Sequence, residues 1–445
     1  MARYAKALKT SSFFLLLCTI MLSLKFVREH ADVVKDSIAR RKEDTSIVDE
    51  VLRLDEAWRE KKKAIDALRH ERNKVSEEIN TLKKAGKDAS AVLARAKQIP
   101  KELKALQEEE RAAWEAVVEA LRKIPNVMHE KVPYGKSDED NVELKRWGAH
   151  REFSFPVRNH VELCEMNGWA DFDASARTSG NGFYFLKGDL ALLNQALIRF
   201  GVTFMQKKGY LYIEPPLMLH RHIILAAGDE DAFAQSIYAT DDGDLCLIGT
   251  AEHAILGLHE GQVLPEERLP LKYFGYSMCF RKEIGSHGIN EKGLWRTHQF
   301  NKVEQFVFCT PEQSWQLFDE LLQNSEEILQ ALGLPYRVVE MCTGDLAVWK
   351  ARSFDVEVWR PTTKGFGEVM SLSNCTTYQA EDLGIKILRK DGTRETVHTL
   401  NNTALATSRV MVAILENFQN EDGSVTIPEA LRPYMNGKKV LEKHA

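Results

Sequence analysis

Three stretches carry charge where an ordinary strand would be bland. The first begins Phe280-Arg281-Lys282-Glu283. Beyond a glycine-rich loop at 285–293 it returns as Arg296-Thr297-His298-Gln299-Phe300-Asn301-Lys302-Val303-Glu304. Period two along the returning strand puts Arg296, His298, Phe300, Lys302 and Glu304 on one face, and Val303 and Val307 on the other. Arg281 and Glu283 likewise share a face. Guanidinium groups hold phosphates, a phenyl ring stacks on a base and a carboxylate accepts from an amine, so such a face can grip a nucleotide. A surface hairpin laced by salt bridges has the same composition. In the second stretch, Phe366-Gly367-Glu368-Val369-Met370-Ser371-Leu372-Ser373-Asn374-Cys375, Glu368 sits among apolar strand residues and with Ser371 offers oxygen ligands to Mg²⁺. The plain alternative is an acid on an edge strand. The third, 400–409, leads into an apolar helix. There Arg409 is either a phosphate ligand or an arginine whose stem lies along an interface. The chain has no G-x-x-x-x-G-K-[ST] and no G-x-G-x-x-G after a strand, so neither a P-loop nor a Rossmann turn would hold a nucleotide here.

These stretches need a frame. Amphipathic helices are expected at 190–207, 313–332 and 405–417. Strands are expected at 209–216, 273–280, 294–308, 337–341, 354–359, 368–372 and 385–388. Hairpin-joined strands with helices at intervals indicate an α+β domain, an antiparallel sheet flanked by helices. Residues 126–150 are polar and proline-punctuated and read as a linker with a short strand.

Ahead of this body, apolar residues recur with alternating steps of three and four. The first run is 51, 54, 58, 61, 65, 68, 72, 75, 79 and 82, with Lys61 and Arg72 as exceptions. The second runs from 92 to 124, with Glu110 as its exception. This is the spacing of a coiled-coil seam. The polar turn Lys83-Lys84-Ala85-Gly86-Lys87-Asp88 folds the two helices into an antiparallel pair, and Pro100 could kink or restart the second. Between residues 69 and 104 lie ten basic residues and five acids. A basic tip without aromatics suits the phosphate backbone and shape of a nucleic acid more than base stacking. A coiled coil that binds protein is the equal alternative.

The chain has 445 residues with a net charge of −5, and residues 1–124 alone carry 27 Lys+Arg against 21 Asp+Glu. A basic front on an acidic body suggests a polyanionic partner at the front, or simply a solvated helical surface. Seven dispersed cysteines, with no C-x-x-C, argue for reduced thiols in the cytoplasm and against a disulfide framework or a cysteine-based zinc site. Residues 1–24 have the basic start and apolar run of a signal peptide. They lack a small-residue cleavage site, and the run is too short to span a bilayer. Residues 1–20 therefore read as an extension ahead of Met21, with a targeting segment as the alternative.

Taken together, the three charged stretches resemble the signature motifs of class II aminoacyl-tRNA synthetases. The strand ending at Pro216 resembles motif 1, the dimer-forming element; FRKE…RTHQF resembles motif 2; the segment ending in Arg409 resembles motif 3. Within the class, LIGTAEHA, HQFNKVEQF and SLSNCTTYQA are similar to the seryl-type enzymes, as is MLSLKFVREH followed by a helical hairpin. The resemblance covers Met21 to about Asn436. It implies a helical arm at 21–125, a linker at 126–150 and a class II catalytic domain at 151–445. It also implies a homodimer away from membranes that uses ATP and Mg²⁺ to activate L-serine and load it onto tRNA(Ser). Where the organism has tRNA(Sec), that becomes a second substrate. By resemblance, Thr250, Glu252, Arg281, Glu304 and Thr403 serve serine. Arg281, Lys282, Glu283, Thr297, Phe300, Glu368, Val369, Met370, Ser371 and Arg409 serve ATP. Within these sets Arg281 and Arg409 are the catalytic cations, and Glu368 and Ser371 the Mg²⁺ ligands. One departure is Asn401-Asn402-Thr403-Ala404-Leu405-Ala406, where the family commonly has N-G-S-G-x-A; the variant resembles the archaeal and eukaryotic branch.

Two other functions fit parts of the sequence. A synthetase paralogue serving a carrier protein would not need the basic arm. A coiled-coil scaffold would not need Arg281, Glu304 and Arg409 together.

Overall fold

The computed structural model describes residues 22–228, 236–283 and 292–443. The extension at 1–20 and most of the loop at 285–293 lie outside them. The chain divides into two compact units after Pro125.

The first unit opens with two short helices, α1 (Leu24–Glu29) and α2 (Ala31–Arg40), followed by two long ones, α3 (Ser46–Lys84) and α4 (Ser90–Leu121). At 1.5 Å per residue, α3 is about 58 Å long. Ile65, Val75, Ile99 and Leu103 bury the seam, flanked by Leu68, Ile79, Val92 and Leu106. Two of the three polar exceptions in the pattern, Lys61 and Glu110, are accommodated by pairing, and Arg72 is exposed. Trp58 Nε1 donates to Glu110 at 2.6 Å, and Lys61 Nζ meets Glu109 at 2.7 Å. Asp55, fully buried, is held by Arg28 at 2.8 Å and Arg59 at 3.0 Å, as a buried carboxylate must be. Gly86 adopts φ +66° just past α3, and the Lys87 N–H returns to the Leu82 carbonyl, the left-handed stop that glycine permits. The Asp88 carboxylate then accepts from the Ser90 N–H at the start of α4. Pro100 neither splits nor restarts α4; the lost N–H is tolerated on the exposed flank while Ile99 is fully buried in the seam.

The second unit is built on an eight-stranded sheet. Its strands are β1 (Val142–Trp147), β2 (Leu211–Ile213), β3 (Leu271–Phe280), β4 (Gln299–Cys309), β5 (Tyr336–Glu340), β6 (Arg352–Arg360), β7 (Gly365–Thr376) and β8 (His398–Ala406). Their spatial order is β1-β5-β6-β7-β8-β4-β3-β2, antiparallel except where β2 meets β3. The short strand in segment 126–150 is the edge strand β1. The strand at 209–216 is reduced to β2, because Pro215 and Pro216 cannot donate to a ladder. Residues 386–388 pair in a separate three-stranded sheet.

Helices α5 (Gly188–Lys207), α7 (Ser314–Leu332) and α8 (Thr407–Asn417) cover one face of the sheet. Val303 and Val307 of β4 join Leu197, Leu321 and Val410 in that core. On the opposite face, Phe306 and Phe308 pack against Ala251 and Ile255 of the short helix α6 (Ala251–Gly257). The alternation expected along β4 is therefore present, and its polar half opens on the α6 side.

Of the register shifts elsewhere in the sheet, two bear on its α6 side. In the β6–β7 pair, Met370 stands opposite Val356 and Glu368 opposite Glu357, so Val369 has no counterpart. In the β8–β4 pair, Thr403 stands opposite Glu304 and Leu405 opposite Val303, so Ala404 has none. An extra residue reverses the face presented by everything beyond it.

Candidate active site

The α6 side of strands β3, β4, β7 and β8 lines a cavity of about 450 Å³. Each polar wall has a local cause. Thr250 precedes α6, and its Oγ1 accepts from the Glu252 N–H at 3.2 Å. The same hydroxyl donates to Glu304 Oε2 at 3.2 Å. Glu304 is also ion-paired with Lys302, two residues along the same strand face. Both side chains are almost fully buried. Thr403 enters the same corner through its register with Glu304. Glu252 accepts from Gln379 Nε2 at 2.8 Å. Burial and the nearby Glu304 carboxylate push Glu252 up to about 7.

The second corner begins where β3 ends. Arg281 donates through Nε to the Gly249 carbonyl at 3.2 Å, and its guanidinium lies 5.4 Å from the centre of the Phe300 ring. Glu283 takes the left-handed region at φ +50°, an uncommon conformation for a side-chain-bearing residue. It receives Arg296 Nη1 at 2.6 Å. Thr297 is buried in the cavity wall and bonds the Gln299 carbonyl at 3.0 Å.

The third corner depends on the β7 bulge. Residues three apart point to opposite faces of a regular strand; the extra Val369 brings Glu368 and Ser371 to the same face, and both line the cavity. Arg409, in the first turn of α8, reaches Glu368 Oε2 at 3.0 Å and its carbonyl at 2.8 Å. Burial pushes the Glu368 carboxyl up, but the Arg409 guanidinium outweighs it and holds the group below the usual range. Asp355 stands opposite Ser371 in the register, and burial together with the Glu368 charge raises it to about 8.

Twelve of the fourteen residues singled out from the sequence line this one cavity: Thr250, Glu252, Arg281, Glu283, Thr297, Phe300, Glu304, Glu368, Val369, Ser371, Thr403 and Arg409. Lys282 and Met370 do not. The Lys282 N–H bonds the Ser236 carbonyl, and its ammonium lies 5.7 Å from the Tyr238 ring centre. The β7 bulge turns Met370 into the helix-covered core. His298 also departs from the expected shared face. It precedes β4, and its Nδ1 lies 2.9 Å from the Arg281 carbonyl, closing the base of the hairpin.

The cavity also contains residues to which the motifs gave no role: Lys350 in the turn before β6, Trp295, and Asn401 of β8. Only Asn401 had a signal, its period-two step from Thr403. Glu368 and Ser371 fit a divalent cation, because they present hard oxygen donors together on one face. No cluster of three or more His, Cys, Asp or Glu side chains suited to a metal occurs among the described residues. A hard cation here would therefore be completed by substrate phosphates and water, the usual habit of Mg²⁺. The six described cysteines are buried free thiols.

Known proteins are similar to this chain in sequence and in fold. Residues 236–418 match the class II core domain of tRNA synthetases (G, H, P, S and T), and residues 21–128 match the seryl-tRNA synthetase N-terminal domain. The serine–tRNA ligase of Methanoregula boonei is 47% identical over 425 residues, covering 95% of this chain and 100% of the relative. The crystal structure of seryl-tRNA synthetase from Pyrococcus horikoshii complexed with ATP superposes with a TM-score of 0.89 at 40% identity, covering 95% of this chain and 100% of that one. The cytoplasmic serine–tRNA ligase of Naegleria fowleri in complex with AMP gives 0.86 at 31% identity, with 95% and 99% covered.

Proposed function

The chain belongs to the seryl-tRNA synthetase family, and we propose that it activates L-serine with ATP and transfers the seryl group to the 3′ end of tRNA(Ser). The observation that carries this reading is the meeting of Thr250, Glu304 and Thr403 in one buried corner that opens onto Arg281, Glu368 and Arg409. The first corner suits a small polar amino acid. Its acids accept from an ammonium and its hydroxyls pair with a hydroxyl. The second and third corners suit a nucleotide triphosphate.

In the first step a serine carboxylate oxygen attacks the α-phosphorus. The bond from that phosphorus to the β-bridging oxygen breaks, and pyrophosphate leaves with the electron pair. Both reactants are anionic, so the protein's task is to neutralise and align them. Arg281 serves the α-phosphate, Phe300 stacks on adenine beside the Arg296–Glu283 pair, and Arg409 holds the γ-phosphate. Bound at Glu368 and Ser371, Mg²⁺ would add positive charge against the phosphates. Glu252 and Glu304 receive the serine ammonium, with Thr250 and Thr403 closing around it. In the second step the terminal ribose hydroxyl of tRNA attacks the seryl carbonyl; the bond from that carbon to the phosphate oxygen breaks, AMP leaves with the electron pair, and the hydroxyl proton passes to the departing phosphate or to water. Alanine would leave the hydroxyl-pairing groups unsatisfied, a discrimination of about 10⁴–10⁵ in rate.

The arm of α3 and α4 would carry the RNA contact, with tRNA(Sec) a further substrate where the organism has one. A homodimer through the β2 edge is supported by the 61% exposure of Leu211 on that strand. The cytoplasm is the proposed compartment, on the dispersed free thiols. No described helix is long and apolar enough to cross a membrane. The test presents each standard amino acid with ATP and labelled pyrophosphate, then tRNA(Ser). Serine-dependent exchange and charging support the reading. Exchange driven best by another amino acid, or exchange without charging, overturns it.

A further inference from the structure

Among the described residues, five cations line the cavity: Arg281, Arg296, Lys302, Lys350 and Arg409. Three are committed to carboxylates of the same cavity: Arg296 to Glu283, Lys302 to Glu304 and Arg409 to Glu368. That leaves Arg281 and Lys350 without a carboxylate at ion-pair distance among the described residues. Arg281 has its role in the reading above; Lys350 has none. Its ammonium donates to Ser353 Oγ at 3.2 Å and to Ser371 Oγ at 3.5 Å. The second serine is the hydroxyl offered to Mg²⁺, so Lys350 lies at the phosphate end of the cavity. Its charge is felt by Asp355, Glu368 and Glu252, none of which lies at ion-pair distance from it; of these, burial and the Glu368 charge hold Asp355 well above the usual carboxylate range. Two neutral hydroxyls orient an ammonium without neutralising it, and a polyphosphate brings the counter-charge that they lack.

We propose that Lys350 is a phosphate-binding catalytic residue. It places a fixed cation against the ATP phosphates beside the Glu368–Ser371 metal position and shares with the metal the neutralisation of the triphosphate. This inference rests on the ATP-dependent reading of the cavity. The reaction is unchanged: no bond is made to Lys350 and no proton leaves it.

The consequence appears most clearly without metal. Equilibrium binding of ATP and of adenosine is measured in EDTA for the full chain, Lys350→Met and Lys350→Arg. A lost charge-assisted contact predicts about tenfold weaker ATP binding for Lys350→Met. Adenosine, which has no phosphate, should bind unchanged, and Lys350→Arg should keep most of the ATP affinity. Unchanged ATP affinity in Lys350→Met overturns the proposal. So does an equal loss for adenosine, because Lys350 would then only be shaping the cavity through its two serines. Serine-dependent exchange by the unsubstituted chain is measured in parallel, so failure of the ATP-dependent reading is told apart from failure of this one.

Discussion

Thr403 stands directly across the β8–β4 pair from Glu304, and Ala404 immediately after it is the bulged residue. The pairing puts a hydroxyl beside the carboxylate already held by Thr250 and Lys302. The bulge then lets Ala406, three residues on, face the same cavity. A single extra residue thus turns the strand into a wall of the amino-acid corner and delivers the chain into α8 with Arg409 aimed at Glu368. Ala404→Pro, which locks φ and crowds the fully buried bulge, should lower serine activation at least about tenfold, read as kcat/KM for exchange.

Serine binding should depend on pH through Glu252. Burial and the Glu304 carboxylate raise its pKa to about 7, while Lys302, Gln379 and Lys350 temper the rise. Below that value the free site holds a neutral acid, a poor acceptor for an ammonium. The KM for serine should therefore rise as pH falls through neutrality. In Glu252→Gln it should be high and nearly flat over the same range, measured by exchange at saturating ATP.

Stability should fall in acid through His398. Burial lowers it to about 4, and its Nδ1 has no hydrogen-bond partner among the described residues. A histidine lowered in the fold favours folding fully above its unfolded pKa of about 6.5. Between there and about 4 the unfolded chain binds a proton that the folded chain refuses, so stability is lost as pH drops, by up to about 3 kcal/mol. His398→Leu should flatten the pH dependence of the urea midpoint across that window.

The arm should contact RNA through only part of its basic surface. Arg95 is already neutralised by Glu71 at 2.6 Å and Glu102 at 2.7 Å. Lys97, Lys101 and Lys104 follow helical spacing, are exposed, and have no carboxylate partner among the described residues. Changing these three to alanine should weaken tRNA(Ser) binding and reduce the salt dependence of binding by about two to three charges. Serine-dependent exchange, which needs no RNA, should be unaltered.

Much of this was legible in advance, and the parts that were not have physical reasons. The seam of α3 and α4 repeats for many turns, so its length and its turn at Gly86 could be read directly. Along β4, period two correctly paired Phe300, Lys302 and Glu304. The same rule places Met370 with Glu368, and only the bulge at Val369 shows that Ser371 is the true neighbour. His298 fails for a related reason: the strand begins after it, at Gln299. Lys350 sits in a turn with no periodicity, and its place in the cavity follows from the pairing of β6 with β7 alone.

The most direct measurement is serine-dependent ATP–pyrophosphate exchange by Glu304→Ala beside equilibrium ATP binding by the same variant. The predicted result is loss of exchange by about 10² or more, comparable to removing one charge-stabilising group from an active site, with ATP binding retained. Exchange that persists at the unsubstituted rate with serine would contradict the assignment of this corner, and with it the central claim.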